Sequence, residues 1–185
     1  INMLIIGICG ASGSGKSTLA NALAGAIEGR AILIQQDSYY KNHPDMTFDE
    51  RVHINYGEPQ AFEHDLLLRD LQQLKSGHAI TRKGYDYTMH LRNDSDELIE
   101  PEDVLILEGI HCFYDAGVRD QLDFKIYINV DPDICLLRRV KRDIMKRGRQ
   151  IEGIAQQYLT TVKPMYERYI RGYIDHADVI VAGGG

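Results

Sequence analysis

Gly10-Ala11-Ser12-Gly13-Ser14-Gly15-Lys16-Ser17 is the stretch from which the fold of this chain can be read. It satisfies G-x-x-x-x-G-K-[ST] at every fixed position, and Thr18 continues it. The glycines let backbone N–H groups turn inward around phosphate oxygens. A lysine at the position of Lys16 reaches the β- and γ-oxygens, and a hydroxyl at Ser17 is placed to ligate Mg²⁺. Residues 3–9 (MLIIGIC) enter the loop as an unbroken apolar segment, which predicts a strand buried on both faces. Leu19, Leu23 and Ile27 recur at i+4 and predict a helix over residues 16–28, its positive end aimed at the same anion.

Outward from this unit, residues 31–35 (AILIQ) predict a second strand that stops at the polar Gln36-Asp37-Ser38. Residues 104–107, 125–130 and 179–181 predict three more. A leucine-rich helix is expected over 66–74, ended by Ser76-Gly77. Another should start at Asp131-Pro132, an acidic cap followed by proline at the first helical position. Strands alternating with helices predict an α/β fold of the P-loop NTPase type, a three-layer α/β/α domain on a mostly parallel sheet. At 185 residues the chain should form one such domain, residues 1–185, with a core of its own. Ligands gather at the carboxyl ends of strands in such sheets, so the chemistry is expected just after Cys9, Gln35 and Leu107.

A hydrophobic content of 44% with 26% charged residues is that of a soluble globular protein. The net charge of −6 argues against nucleic acid or an acidic membrane as partner. Cys9, Cys112 and Cys135 are odd in number and form no C-x-x-C, so neither a disulfide framework nor a zinc site is expected, and the cytoplasm is. The apolar run 3–9 is too short to span a bilayer and lacks the basic leader of a signal peptide.

Two carboxylates fall where strands end. Glu108 closes the apolar run 104–107, and P-loop enzymes use such an acid to help hold Mg²⁺. A loop-start acid before Gly109 is the plainer reading. Asp37 follows the second strand. An alcohol acceptor has a proton to lose and needs a positioned carboxylate, whereas a nucleoside monophosphate acceptor is an anion and needs arginines there. Asp37 therefore favours an alcohol acceptor, with an ordinary turn cap as the alternative.

Seven basic residues lie between Arg138 and Arg149. On a helix, Arg138, Arg139, Arg142 and Lys146 share one face, and Ile134, Leu137, Val140 and Ile144 another. That pattern predicts a helix packed on the core by its apolar side, with cations turned to a cleft. A lid over ATP phosphates, a nucleic-acid patch and a solvated basic face all need such charge. The phosphate loop in the same domain favours the lid.

The segments GASGSGKST (10–18), QDSYYK (36–41), YDYTMHLR (85–92), LEGI (107–110), RRVKRDIMKRGR (138–149) and QQYLTTVKPM (156–165) occur in an order and spacing that resembles the uridine kinase (uridine–cytidine kinase) family over nearly the whole chain. The resemblance implies a nucleoside kinase that moves the γ-phosphoryl of ATP, with Mg²⁺, to the 5′-hydroxyl of uridine or cytidine. It implies Asp37 as base and Ser17 with Glu108 on Mg²⁺. The hairpin is expected over about 79–100, with Tyr85, Tyr87 and His90 against the pyrimidine and Tyr40 near the sugar. Across about 138–157 the resemblance implies Arg139 on the sugar side, Arg142 and Arg147 as lid arginines on ATP phosphates, and Arg149 with Gln157 on the base. Lys16, Asp37, Arg142 and Arg147 make up the expected catalytic set, and a homotetramer the expected assembly. Cross-strand packing is the plainer reading of Tyr85, Tyr87 and His90.

Three positions depart from the family. Asn55-Tyr56-Gly57-Glu58-Pro59 lacks the aspartate that engages ribose hydroxyls, since Gly57 stands there. Glu58 is the candidate substitute, the adjacent glycine freeing the backbone to re-aim it. Lys83-Gly84 replaces a proline ahead of the hairpin. Residues 181–185 (VAGGG) lack the usual proline and stop where the family adds a final helix. A phosphoribulokinase-like kinase with another alcohol acceptor and a non-catalytic ATP-binding protein are the rival readings. A guanine-reading N-K-x-D motif is absent, which argues against a GTPase switch.

Overall fold

The computed structural model of the chain describes residues 2–183, so the departure at Gly184 and Gly185 lies outside the described residues. Its centre is a five-stranded parallel sheet of β1 (Leu4–Gly10), β2 (Ala31–Gln35), β7 (Val104–Glu108), β8 (Phe124–Asn129) and β9 (Val179–Ala182), in the order β2-β7-β1-β8-β9. Alternate residues of the central strands enter two separate cores. Ile5, Cys9, Ile32, Ile34, Leu105, Leu107 and Tyr127 face one side. Ile8, Ile106, Ile126 and Ile128 face the other. That is why these strands read as continuous apolar runs: neither face meets water.

Helix α1 (Lys16–Ala26) covers the second core through Leu19, Ala20 and Leu23. Helix α3 (His64–Lys75) covers the first through Leu67, Leu71 and Leu74, beside the short α4 (Ala116–Gln121). The predicted helix over 16–28 stops earlier because Glu28 and Gly29 both take positive φ. The short α2 (Phe48–Val52) opens with a capping box between Thr47 and Glu50.

Residues 80–99 form a two-tier hairpin. β3 (Ile80–Thr81) pairs with β6 (Leu98–Ile99), and β4 (Tyr85–Asp86) pairs with β5 (Leu91–Arg92), both antiparallel. Gly84 suits its place where proline would not. Its N–H donates to Asp94 Oδ1 at 3.1 Å, and a Cβ there would run into the Asn93 carbonyl.

Helix α5 (Pro132–Arg147) corrects the sequence-based expectation. Its apolar side is not on the core: Leu137 is 66% and Ile144 45% exposed. The buried row is Cys135, Arg139 and Asp143, at i+4 spacing. The backbone of Cys135 lies against Gly13 of the phosphate loop, and Arg139 reaches Ser12. Close approach to that loop selects the buried face, and ion pairing makes the burial of charge tolerable. Helices α6 (Ile151–Gln157) and α7 (Lys163–Arg168) continue behind it, joined by a π-turn over Tyr158–Val162.

Candidate active site

The sheet order brings three expected positions together. Because β7 lies between β2 and β1, Glu108 is in register with both Gln35 and Ile8. Asp37, Glu108 and the phosphate loop therefore leave the same edge of the sheet. Above that edge opens a cleft that is partly continuous with solvent. Ala11, Ser12 and Asp37 line its floor, Tyr40, Tyr56, Tyr85, Tyr87 and His90 one wall, and Arg139, Arg142, Arg147, Arg149 and Gln157 another.

In the phosphate loop Gly13 and Gly15 take φ of 83° and 97°. A side chain is excluded at Gly13 on a second ground, since a Cβ would meet the Cys135 carbonyl. Gly10 and Ala11 lead into the loop, and Ser12, Ser14, Lys16, Ser17 and Thr18 follow the expected path into α1. The Lys16 ammonium donates to the Ala11 carbonyl at 2.9 Å. The Ser17 hydroxyl donates to Glu108 Oε1 at 3.0 Å. Burial pushes the Glu108 carboxyl above its ordinary range, and Lys16 only partly opposes this.

Across the floor, the Tyr87 hydroxyl donates to Asp37 Oδ2 at 3.1 Å. Burial and the Asp37 charge push the Tyr87 phenol up, so it stays a donor. The Arg147 guanidinium lies 4.4 Å from the centre of the same ring. Tyr40 stacks on Phe62 at 4.4 Å, and Tyr56 stacks on His90 at 5.0 Å and 15°. His90 holds a positive φ of 53° at the hairpin tip. Arg51, buried, donates from Nε and Nη2 to the Met89 carbonyl just before it. Burial, with Arg149 and Arg51 nearby, holds the His90 imidazole below its usual range.

The arginines are organised by one acid. Asp143, fully buried, pairs with Arg142 at 2.9 Å and with Arg139, Arg147 and Arg149 at 3.7 Å each. Gln157 Oε1 accepts from both Arg139 and Arg149 at 3.0 Å. Burial lowers Arg139 to about 10 against the pull of Asp143, which leaves it protonated at neutral pH. Lys146, expected on the cleft face, is exposed and outside the cleft lining.

Every expected nucleoside-side residue except Glu58 lines the cleft. Glu58 is exposed, and its carboxylate accepts from Asn55 Nδ2 at 3.3 Å. Gly57 itself lines the cleft, and a Cβ there would stand 3.3 Å from Asn55 Oδ1 and from Met165 Cγ. Sequence reasoning missed Tyr56, Arg51 and the hub role of Asp143. For Asp143 a signal existed: it lies four residues from both Arg139 and Arg147.

Comparison with known proteins places this architecture. The model of the phosphoribulokinase / uridine kinase family matches residues 5–185. The chain belongs to that family. Within the family it is 45% identical to a uridine kinase of Limosilactobacillus reuteri, over 98% of this chain and 84% of that protein. It is 44% identical to a uridine kinase of Staphylococcus haemolyticus, over 100% of this chain and 89% of that one. The family fold is also seen in the phosphoribulokinase of Rhodobacter spheroides, with a TM-score of 0.72 at 18% identity, covering 98% of this chain and 70% of the other. That likeness concerns the fold alone.

Proposed function

We propose that this chain transfers the γ-phosphoryl group of ATP to the 5′-hydroxyl of uridine or cytidine. The observation that carries the reading is Asp37: a carboxylate at the end of β2 that lines the same cleft as the phosphate loop and an aromatic wall. An alcohol needs such a base and an anionic acceptor does not. Relatives at 44–45% identity named uridine kinase support pyrimidine nucleosides as the acceptor class.

Asp37 would take the proton of the 5′-hydroxyl, and Tyr87 would hold the carboxylate in place. Lys16, Arg142 and Arg147 would balance charge on the transferring group, which is most of what catalysis of this transfer requires. Ser14 Oγ is buried without a hydrogen-bond partner among the described residues, and a phosphate oxygen would satisfy it. Tyr85, Tyr87 and His90 would contact the base, with Arg149 and Gln157 at its edge and Tyr40 and Arg139 near the sugar. Ser17 and Glu108 fit Mg²⁺, which favours hard oxygens and keeps part of its shell for water and phosphate. Bound there, the ion would neutralise developing phosphoryl charge. Residues 1–185 act in this reading as one kinase domain, with 79–100 as the nucleoside hairpin and 138–157 as the lid.

No helix among the described residues is long and apolar enough to cross a membrane. Cytoplasmic location belongs to the proposal through the cysteine usage, and self-association through the resemblance. A coupled ADP-release screen over nucleosides and sugar phosphates tests the acceptor. Stimulation by uridine and cytidine is expected, and stimulation by a sugar phosphate alone would contradict it.

A further inference from the structure

His111 lies three residues beyond Glu108, is fully buried, and touches the site from behind. Its Nε2 is 2.6 Å from the Gly57 carbonyl oxygen, and its Nδ1 is 2.7 Å from the Tyr173 hydroxyl. A carbonyl can only accept, so Nε2 carries the proton and Nδ1 accepts from Tyr173. The His111 backbone N–H donates to Gln36 Oε1 at 2.9 Å, and Gln36, also fully buried, directly precedes Asp37. Gly57 is held on its other side as well, its N–H donating to Asn55 Oδ1 at 3.0 Å.

One residue thus joins the segment that carries the base, through its backbone N–H, to the stretch of cleft wall at Gly57, through its imidazole. None of its three partners belongs to the phosphate loop. We infer that His111 is a positioning residue for the acceptor: by gripping the Gly57 carbonyl it fixes the spacing between that wall and Asp37, and so seats the acceptor alcohol against the base. The missing carboxylate at position 57 sharpens the role. With no side chain there, the backbone of Gly57 is what the cleft presents, and His111 sets where that backbone stands. Burial lowers the imidazole to about 4, so it remains the neutral donor throughout the physiological range.

His111 also packs edge-on against Phe62, Tyr169 and Tyr173, so a purely structural role must be separated from positioning. Two polar variants do this. His111→Gln places an amide donor near the former Nε2 and keeps the grip on Gly57. His111→Asn is too short to reach Gly57 but can still accept from Tyr173. The inference rests on the alcohol-kinase reading above. KM is therefore measured for ATP and for whichever alcohol the unaltered enzyme turns over fastest, uridine on that reading. An unaltered enzyme that ignores uridine counts against the acceptor assignment alone. A carbonyl left unpaired should weaken acceptor binding about tenfold in His111→Asn, with ATP KM within about twofold and His111→Gln near the unaltered enzyme. Equal effects of the two variants, parallel shifts in both KM values, or no shift at all would overturn it. If neither variant folds, Tyr173→Phe decides by removing only the hydroxyl that orients the ring. An acceptor KM raised about threefold at constant ATP KM supports positioning, and unchanged kinetics contradict it.

Discussion

The Tyr87 hydroxyl donates to Asp37 Oδ2 at 3.1 Å, so the hairpin and the end of β2 meet at one carboxylate oxygen. That bond leaves Oδ1 of Asp37 for a proton from the acceptor. It also ties the position of the base to the hairpin that would hold the nucleoside. Asp37→Asn should lower kcat by about 10²–10⁴ while ATP binding persists, because only proton acceptance is removed. Tyr87→Phe should cost far less, about tenfold, as one orienting hydrogen bond is lost. Turnover of Asp37→Asn close to that of the unaltered enzyme would reduce Asp37 to a turn cap.

The two ends of the expected nucleoside site should separate on mutation. His90 lines the cleft, stacked on Tyr56, whereas Glu58 is exposed and engaged with Asn55. His90→Ala should raise the uridine KM about tenfold with little change in ATP KM. Glu58→Gln should change either KM less than about twofold, as exposed substitutions do. A loss of preference for uridine over 2′-deoxyuridine in Glu58→Gln would instead show that this side chain swings into the cleft.

Asp143 is the shared counter-ion of four arginines and accepts a hydrogen bond from Arg142. Removing one partner of a buried ion pair typically costs about 3–5 kcal/mol. The side chains of Arg142, Arg147 and Arg149 keep 23–32% of their exposure, so water softens the loss. Asp143→Asn should therefore sit at the low end, about 3 kcal/mol, read as a fall in Tm of about 6–12 °C for a domain of this size. A Tm within 2 °C of the unaltered protein, a threshold of roughly 0.5–1 kcal/mol, would mean that the arginines find acceptors elsewhere.

Burial holds His111 at about 4, with the Gly57 carbonyl pulling the other way and His64 and Lys16 adding to the depression. The unfolded chain takes up a proton near the ordinary histidine value of about 6.5, and the fold does not until pH falls to about 4. Stability from this residue is complete above about 6.5 and drains away as pH falls toward 4, by about 2 kcal/mol between pH 7 and 5. Urea midpoints should show that loss in the unaltered protein and a shallower one in His111→Gln. Equal pH slopes would place the imidazole outside the buried network.

Much of this was legible in the sequence for a simple reason. Strands buried on both faces leave unbroken apolar runs, so β1, β2, β7 and β8 appear within a residue or two of their observed ends. The phosphate loop is legible because backbone wrapping tolerates few residue types. Helix α5 shows where this reasoning stops: its buried face holds Arg139 and Asp143, and apolar periodicity cannot see a stripe buried by ion pairing. The placement of Glu58 was equally hidden. Asn55, three residues before it, decides its direction, and nothing in composition or spacing encodes that choice.

On the proposed reading, the cleft phosphorylates the 5′-hydroxyl of a pyrimidine nucleoside. ³¹P NMR of a reaction containing the protein, Mg²⁺, ATP and uridine reads the new bond directly. Loss of the γ-phosphate signal should be matched by a phosphomonoester resonance coupled to the two 5′ protons of UMP. Free inorganic phosphate as the sole product, a phosphate on another hydroxyl, or no reaction with uridine or cytidine while another alcohol is phosphorylated would contradict it.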